Sequence, residues 1–252
     1  MHQVYSSRNR DVLGQGRKLL IGYVPVGYPD KESFFDVLDN CQSAGVDIFE
    51  IGYPASDPAS DGPVIKNALS KVDRSLGTDL NYWRIVRDKI SAPIWLMGYR
   101  KDFILTDGFK GIVESGNIDA LVIPDLKDDE YFELADHLAN FEVDVVGFIR
   151  QSMTEEQRKY HIEKLPLIYH QLHDGRTGEE ADTEYKQLLQ EIRENPDSYA
   201  FAGFGINSPE KFSALLKGGY NGVIIGSELV RRLNRSPNEL YLFIQELNKT
   251  KG

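Results

Sequence analysis

The feature that most limits what this chain can fold into is an alternation that runs along its whole length. Short apolar, β-branched runs are each followed by a stretch with helical periodicity. The runs are Leu19–Val26, Ile48–Gly52, Ile94–Gly98, Ala120–Ile123, Val145–Ile149, Leu167–Leu172, Tyr199–Gly203 and Gly222–Ile225, eight in all. Several are apolar throughout, the pattern of strands covered on both faces. Between them, residues 31–44 place Phe34, Val37, Leu38, Cys41 and Ala44 on one helical stripe. Further helices are predicted over Leu80–Ile90, Phe109–Ser115, Glu130–Phe141, Thr154–Lys164, Thr183–Arg193, Pro209–Leu216 and Pro237–Leu247. Thr154 before Glu155 and Glu156, and Ser208 before Pro209 and Glu210, read as N-caps with their first turns.

Strand and helix in strict alternation, with no linker or shift in composition, predict the α/β class and a single (β/α)8 barrel, a TIM barrel, as one domain over residues 1–252. The length of 252 residues agrees with the roughly 250 typical of that barrel. An open, doubly wound sheet is the alternative. It is disfavoured because no Gly-x-Gly-x-x-Gly turn follows the first strand.

Charge narrows the partners. There are 29 Lys and Arg against 39 Asp and Glu, a net −10, which argues against nucleic acid and anionic lipid. No run approaches the roughly 18 apolar residues of a membrane span, and residues 1–17 lack a signal-peptide core. Cys41 is the only cysteine, so no internal disulfide is possible; a cytoplasmic location is expected. No cluster has metal-ligand spacing, and neither metal nor cofactor is expected.

In such a barrel the chemistry lies at the C-terminal ends of the strands and in the loops after them. After the second strand the chain reads Glu50-Ile-Gly-Tyr-Pro-Ala-Ser-Asp57-Pro-Ala-Ser-Asp61-Gly-Pro. Glu50 sits inside an apolar strand. Burial there would raise its pKa toward neutrality, which suits a general acid/base, unless a nearby Lys or Arg pairs with it. Asp61 lies in a Pro/Gly-punctuated loop placed to cover the barrel mouth, and Asp57 before Pro58 reads as turn chemistry. Gly203-Phe204-Gly205 after the seventh strand and Gly226-Ser227 after the eighth are the two loops from which barrels often build a phosphate site. The other reading of these glycines is tight turns alone. Thr177-Gly178 after the sixth strand can add backbone donors. His170 reads as polar filler on the outer face, and His173 is left open.

Together these residues resemble the tryptophan synthase α-subunit family, from about Leu20 to about Leu233. The stretch from Glu50 to Pro63 is the most specific piece, followed by Leu96-Met97 with Tyr99, Ala120–Asp125, Tyr169, Thr177-Gly178, Gly203–Pro209 and Gly226-Ser227. The resemblance implies a lyase of tryptophan biosynthesis that cleaves indole-3-glycerol phosphate to indole and glyceraldehyde 3-phosphate. It implies Glu50, Asp61 and Tyr169 as catalytic residues. Tyr23, Met97, Tyr99, Leu121, Thr177 and Phe204 would contact substrate, and Gly178, Gly205, Gly226 and Ser227 would hold the phosphate. It also implies a β-subunit partner. The sequence departs from the family pattern at Pro25, Ala55, Arg100-Lys101-Asp102 and Gln171-Leu172-His173, and the Arg100, Lys101 segment bears on that partnership. Two other functions stay open: a barrel acting on a different phosphorylated small molecule, and a weakly catalytic activator of a β-type subunit.

Overall fold

Each apolar run forms a strand because both of its faces find cover. The computed structural model describes residues 3–56, 61–172 and 179–251. Its strands are β1 (Leu19–Pro25), β2 (Ile48–Gly52), β3 (Ile94–Met97), β4 (Ala120–Val122), β5 (Asp144–Ile149), β6 (Leu167–Gln171), β7 (Tyr199–Gly203) and β8 (Gly222–Ile225). They pair in sequence order into a closed barrel. Every residue of β1 to β5 and of β8 is buried, which explains the absence of alternation in these runs. Closure comes from the parallel pairing of β1 with β8, from Leu19 opposite Gly222 to Gly22 opposite Ile225. That pairing rules out the open sheet.

The helices are α1 (Ser7–Gly14), α2 (Ser33–Ala44), α3 (Pro63–Leu69), α4 (Leu80–Lys89), α5 (Arg100–Phe103), α6 (Lys110–Glu114), α7 (Asp128–Ala139), α8 (Glu155–Lys164), α9 (Glu179–Glu194), α10 (Pro209–Gly218), α11 (Ser227–Leu233) and α12 (Pro237–Lys249). Helix α2 buries the predicted stripe from Phe34 to Ala44. It stops at Gly45, whose φ of 122° suits glycine and whose amide reaches the carbonyls of Cys41 and Gln42. Thr154 and Gln157 form a reciprocal capping box on α8, and Ser208 caps α10 ahead of Pro209. No helix among the described residues is long and apolar enough to cross a membrane.

Helix α1 was not predicted, because its eight residues carry few apolar side chains. It closes the N-terminal end of the barrel through polar contacts. Asn9 is fully buried and donates to the Asp119 carbonyl at 3.1 Å and to Asp144 Oδ2 at 2.8 Å. Its Oδ1 accepts from Trp95 Nε1 at 2.9 Å. Trp95 in turn meets Phe201 edge-on at 5.1 Å, a contact from β3 to β7 across the barrel interior. Asp119 accepts from Ser6 Oγ (2.8 Å), Arg8 (3.3 Å), Arg87 (3.0 Å) and the Ile94 amide (2.8 Å). Burial pushes the Asp144 carboxyl up to about 6, against the opposing pull of bonds from Asn9, Tyr5 and Ser6.

His170, expected as polar filler on the outer face, is fully buried and takes a specific polar partner. The Tyr220 hydroxyl shares a hydrogen bond with its Nδ1 at 2.7 Å, and desolvation pulls its pKa down to about 4.

Candidate active site

Side chains in a strand alternate between faces, and on β2 the inner face carries Glu50 and then Gly52. Glu50 lines a cavity of about 360 Å³ at the C-terminal ends of the strands. It is only 4% exposed. Among the described residues no lysine or arginine forms an ion pair with it, so the paired alternative does not hold. Burial first, and the charge of Asp61 second, push its pKa up to about 8. At neutral pH the group is a carboxylic acid, poised to donate.

Asp61 lines the same cavity from the loop before α3. Burial raises its pKa too, but two influences favour its charged form: a hydrogen bond from Tyr99 and the charge of Lys66. The Tyr99 hydroxyl donates to Asp61 Oδ2 at 2.7 Å. Two carboxyls thus share one cavity with different surroundings, an arrangement that separates a proton donor from an anionic acceptor.

The wall is aromatic. Tyr169 is 5% exposed and packs on Phe148 at 4.9 Å and Phe204 at 5.9 Å. Tyr23, Met97 and Phe204 also line the cavity. Tyr99 acts through Asp61 instead of forming wall. Leu121 does not reach the cavity; it is fully buried, and its neighbour Val122 takes the inner position beside Met97. Strand β4 has three residues, all apolar, so hydrophobicity gives no clue to which of them points inward.

Gly205, Gly226 and Ser227, from the loops after β7 and β8, also line the cavity. Phe204 and Gly205 both adopt left-handed backbone, with φ of 72° and 71°, which turns the chain after β7 back toward the cavity. Phe204 carries the strain of a side chain in that region, and such strain is commonly held at functional sites. Thr177, Gly178 and His173 lie outside the described residues, as do residues 57–60.

Three further features were missed from sequence. Phe148 and Pro124 belong to the wall. Glu228 and Arg231 line the cavity next to Gly226 and Ser227, and Arg231 is the sole cationic side chain lining it among the described residues. The Glu228 carboxylate is 8% exposed and bonds both Arg231 and Arg232, the latter at 2.8 Å. In sequence these residues read as an ordinary i,i+3 and i,i+4 surface set. Lastly, the Asp102 carboxylate accepts from the Ser56 amide at 3.1 Å to each oxygen, tying the loop after β2 to α5. Arg100 is held in place by Glu130, at 2.6 and 2.5 Å, and by its own amide on Asp125 at 2.7 Å.

Comparison with known proteins points to one family. The family model for the tryptophan synthase alpha chain matches residues 10–251. A tryptophan synthase alpha chain of Synechococcus elongatus is 34% identical, over 87% of this chain and 85% of the relative. That of Arabidopsis thaliana is 30% identical, over 88% and 84%. Among solved structures, a tryptophan synthase chain of Mycobacterium tuberculosis superposes with a TM-score of 0.82 over 99% of this chain and 98% of that one, at 24% identity. With the two carboxyls, the aromatic wall and the glycine loops all at one barrel mouth, the chain belongs to the tryptophan synthase alpha chain family.

Proposed function

We propose that Glu50 and Asp61 carry out this family's reaction, the retro-aldol cleavage of indole-3-glycerol phosphate to indole and glyceraldehyde 3-phosphate. The observation that carries the reading is the buried, unpaired Glu50 acid lining the same cavity as Asp61 and the glycine loops after β7 and β8. The bond between ring carbon C3 and the first side-chain carbon breaks only after C3 gains a proton and the adjacent hydroxyl gives one up. Glu50 donates the first proton and, now a carboxylate, accepts the second, so it ends as it began. Asp61 accepts the indole N–H bond and stabilises the positive charge on the protonated ring. Tyr169 holds Glu50 and the ring in register. The amides at Gly205, Gly226 and Ser227, with Gly178 from the loop after β6, hold the phosphate remote from the bond that breaks, which favours correct placement of the reacting end.

The test is indole release from indole-3-glycerol phosphate by the purified chain, alone and with a tryptophan synthase β subunit. Absence of release under both conditions would overturn the reading. The second arm addresses the partner, for which we infer a β subunit docked at the barrel mouth. Because the Arg100 guanidinium is paired with Glu130, it is not a free cation facing the partner, and release is expected to rise when the β subunit is added.

Arg231 gives a prediction at the phosphate end. Arg231→Gln is expected to raise KM for the phosphorylated substrate by about tenfold with kcat little changed, the pattern of lost uniform binding. Steady-state kinetics at fixed ionic strength would check this; a fall in kcat at constant KM would place Arg231 in the chemical step instead.

A further inference from the structure

The Tyr23 hydroxyl is enclosed and has no hydrogen-bond partner among the described residues. Among the described residues with such an atom, Tyr23 alone lines the cavity. Leaving a buried hydroxyl unpaired weakens a fold, so the group calls for an explanation in the bound state.

Its placement is well defined. A Cβ at Gly226 would stand 3.5 Å from Tyr23 Cβ, and a Cβ at Gly52 would stand 2.4 Å from the Tyr23 hydroxyl. The side chain therefore runs from the phosphate side to the strand of Glu50, and its tip lies one inner position beyond Glu50 on β2. In the sheet, Tyr23 and Glu50 are direct register partners. Burial first, and the charge of Asp61 second, hold the hydroxyl in its protonated form, so it is a donor in search of an acceptor.

We propose that Tyr23 is a further catalytic residue, whose hydroxyl donates a hydrogen bond to the substrate oxygen on the carbon that leaves the ring. This rests on the indole-3-glycerol phosphate reading above. The ring N–H is itself a donor and is taken by Asp61. The phosphate lies at the far end, by Gly226. Of the remaining polar atoms, the oxygen on the carbon attached to the ring is the acceptor beside Glu50. In the cleavage step the Glu50 carboxylate takes the proton from this oxygen. The carbon–carbon bond breaks, its electron pair returns to the ring, and the oxygen becomes the aldehyde carbonyl. Tyr23 keeps its own proton and stabilises the negative character that passes through the oxygen.

The test is Tyr23→Phe, which deletes only the hydroxyl. The expected result is a kcat lower by about 10- to 100-fold with KM nearly unchanged. The thermal midpoint should not fall, because the deleted atom has no partner to lose. Affinity for 3-(indol-3-yl)propyl phosphate, which lacks the oxygen, should match that of the wild type. Unchanged kcat would overturn the proposal, as would a matching loss of analogue affinity or a lowered thermal midpoint, each of which assigns the hydroxyl another partner. A wild-type chain that neither cleaves the substrate nor binds the analogue would instead overturn the underlying reading.

Discussion

Replacing Glu50 with Gln is expected to lower the cleavage rate by about 10²- to 10⁴-fold, the range for loss of a positioned acid/base group. Binding of a non-reacting indole phosphate analogue should survive, because glutamine keeps the size and hydrogen-bonding capacity of the acid. The same residue sets the pH profile. Glu50 must begin protonated, and its pKa lies at about 8, so kcat/KM should fall on the alkaline side with a midpoint near that value. Asp61 must be ionised to accept the indole N–H, and it supplies the acidic limb. The alkaline limb should vanish from the residual activity of the variant. An alkaline limb that persists unchanged would assign it to another group.

This substitution carries a second, opposite effect on stability. A carboxyl whose pKa rises from 4.5 to about 8 on folding binds protons more tightly in the native state than in the unfolded one. Wild-type stability therefore declines as pH climbs between those two values, once the unfolded carboxyl ionises and the buried one resists. Glutamine has no such dependence. The thermal midpoint of Glu50→Gln should exceed that of the wild type, by a margin that widens up to pH about 8. The chain would gain stability while losing its chemistry, as expected where an active site stores an unfavourable buried group.

The largest expected effect on folding lies at the opposite end of the barrel. Asp119 is 2% exposed and gathers bonds from Ser6, Arg8, Arg87 and the Ile94 amide. Asp119→Ala would leave the Arg87 guanidinium, only 9% exposed, without its anion, and would release α1 from the barrel floor. Losing one member of a buried ion pair costs about 3–5 kcal/mol. In a chain of this size that corresponds to a drop in thermal midpoint of roughly 10 °C or somewhat more. A thermal melt reading less than 1 kcal/mol would show that α1 is only loosely held. Catalytic constants measured well below the transition should change little, because Asp119 does not touch the cavity.

How much was legible in sequence depended on burial. The eight strands were readable because most are covered on both faces and so are apolar along most of their length. Glu50 stood out for the complementary reason, a carboxylate inside such a run. Leu121 was misplaced because the same apolar uniformity conceals which residues of a short strand point inward. The short helices α1, α3 and α5 were missed because none is long enough to show a sustained helical period: α3 buries Ile65, Ala68 and Leu69 within only seven residues, and α1 is anchored largely by polar contacts. Glu228 and Arg231 were missed because their spacing matches that of countless exposed pairs. Only the return of the chain after β8 brings them to the cavity rim.

Gly52 and Gly203 invite a reading as hinge residues, but the rings beside them say otherwise. A Cβ at Gly52 would collide with the Tyr23 hydroxyl at 2.4 Å, and one at Gly203 with the Tyr169 hydroxyl at 2.3 Å. Each glycine is a recess cut for a tyrosine on the neighbouring strand. Positions 23 and 52, and 169 and 203, are therefore sterically coupled: a methyl added at either glycine requires the facing phenol to shift or to give way to a smaller side chain.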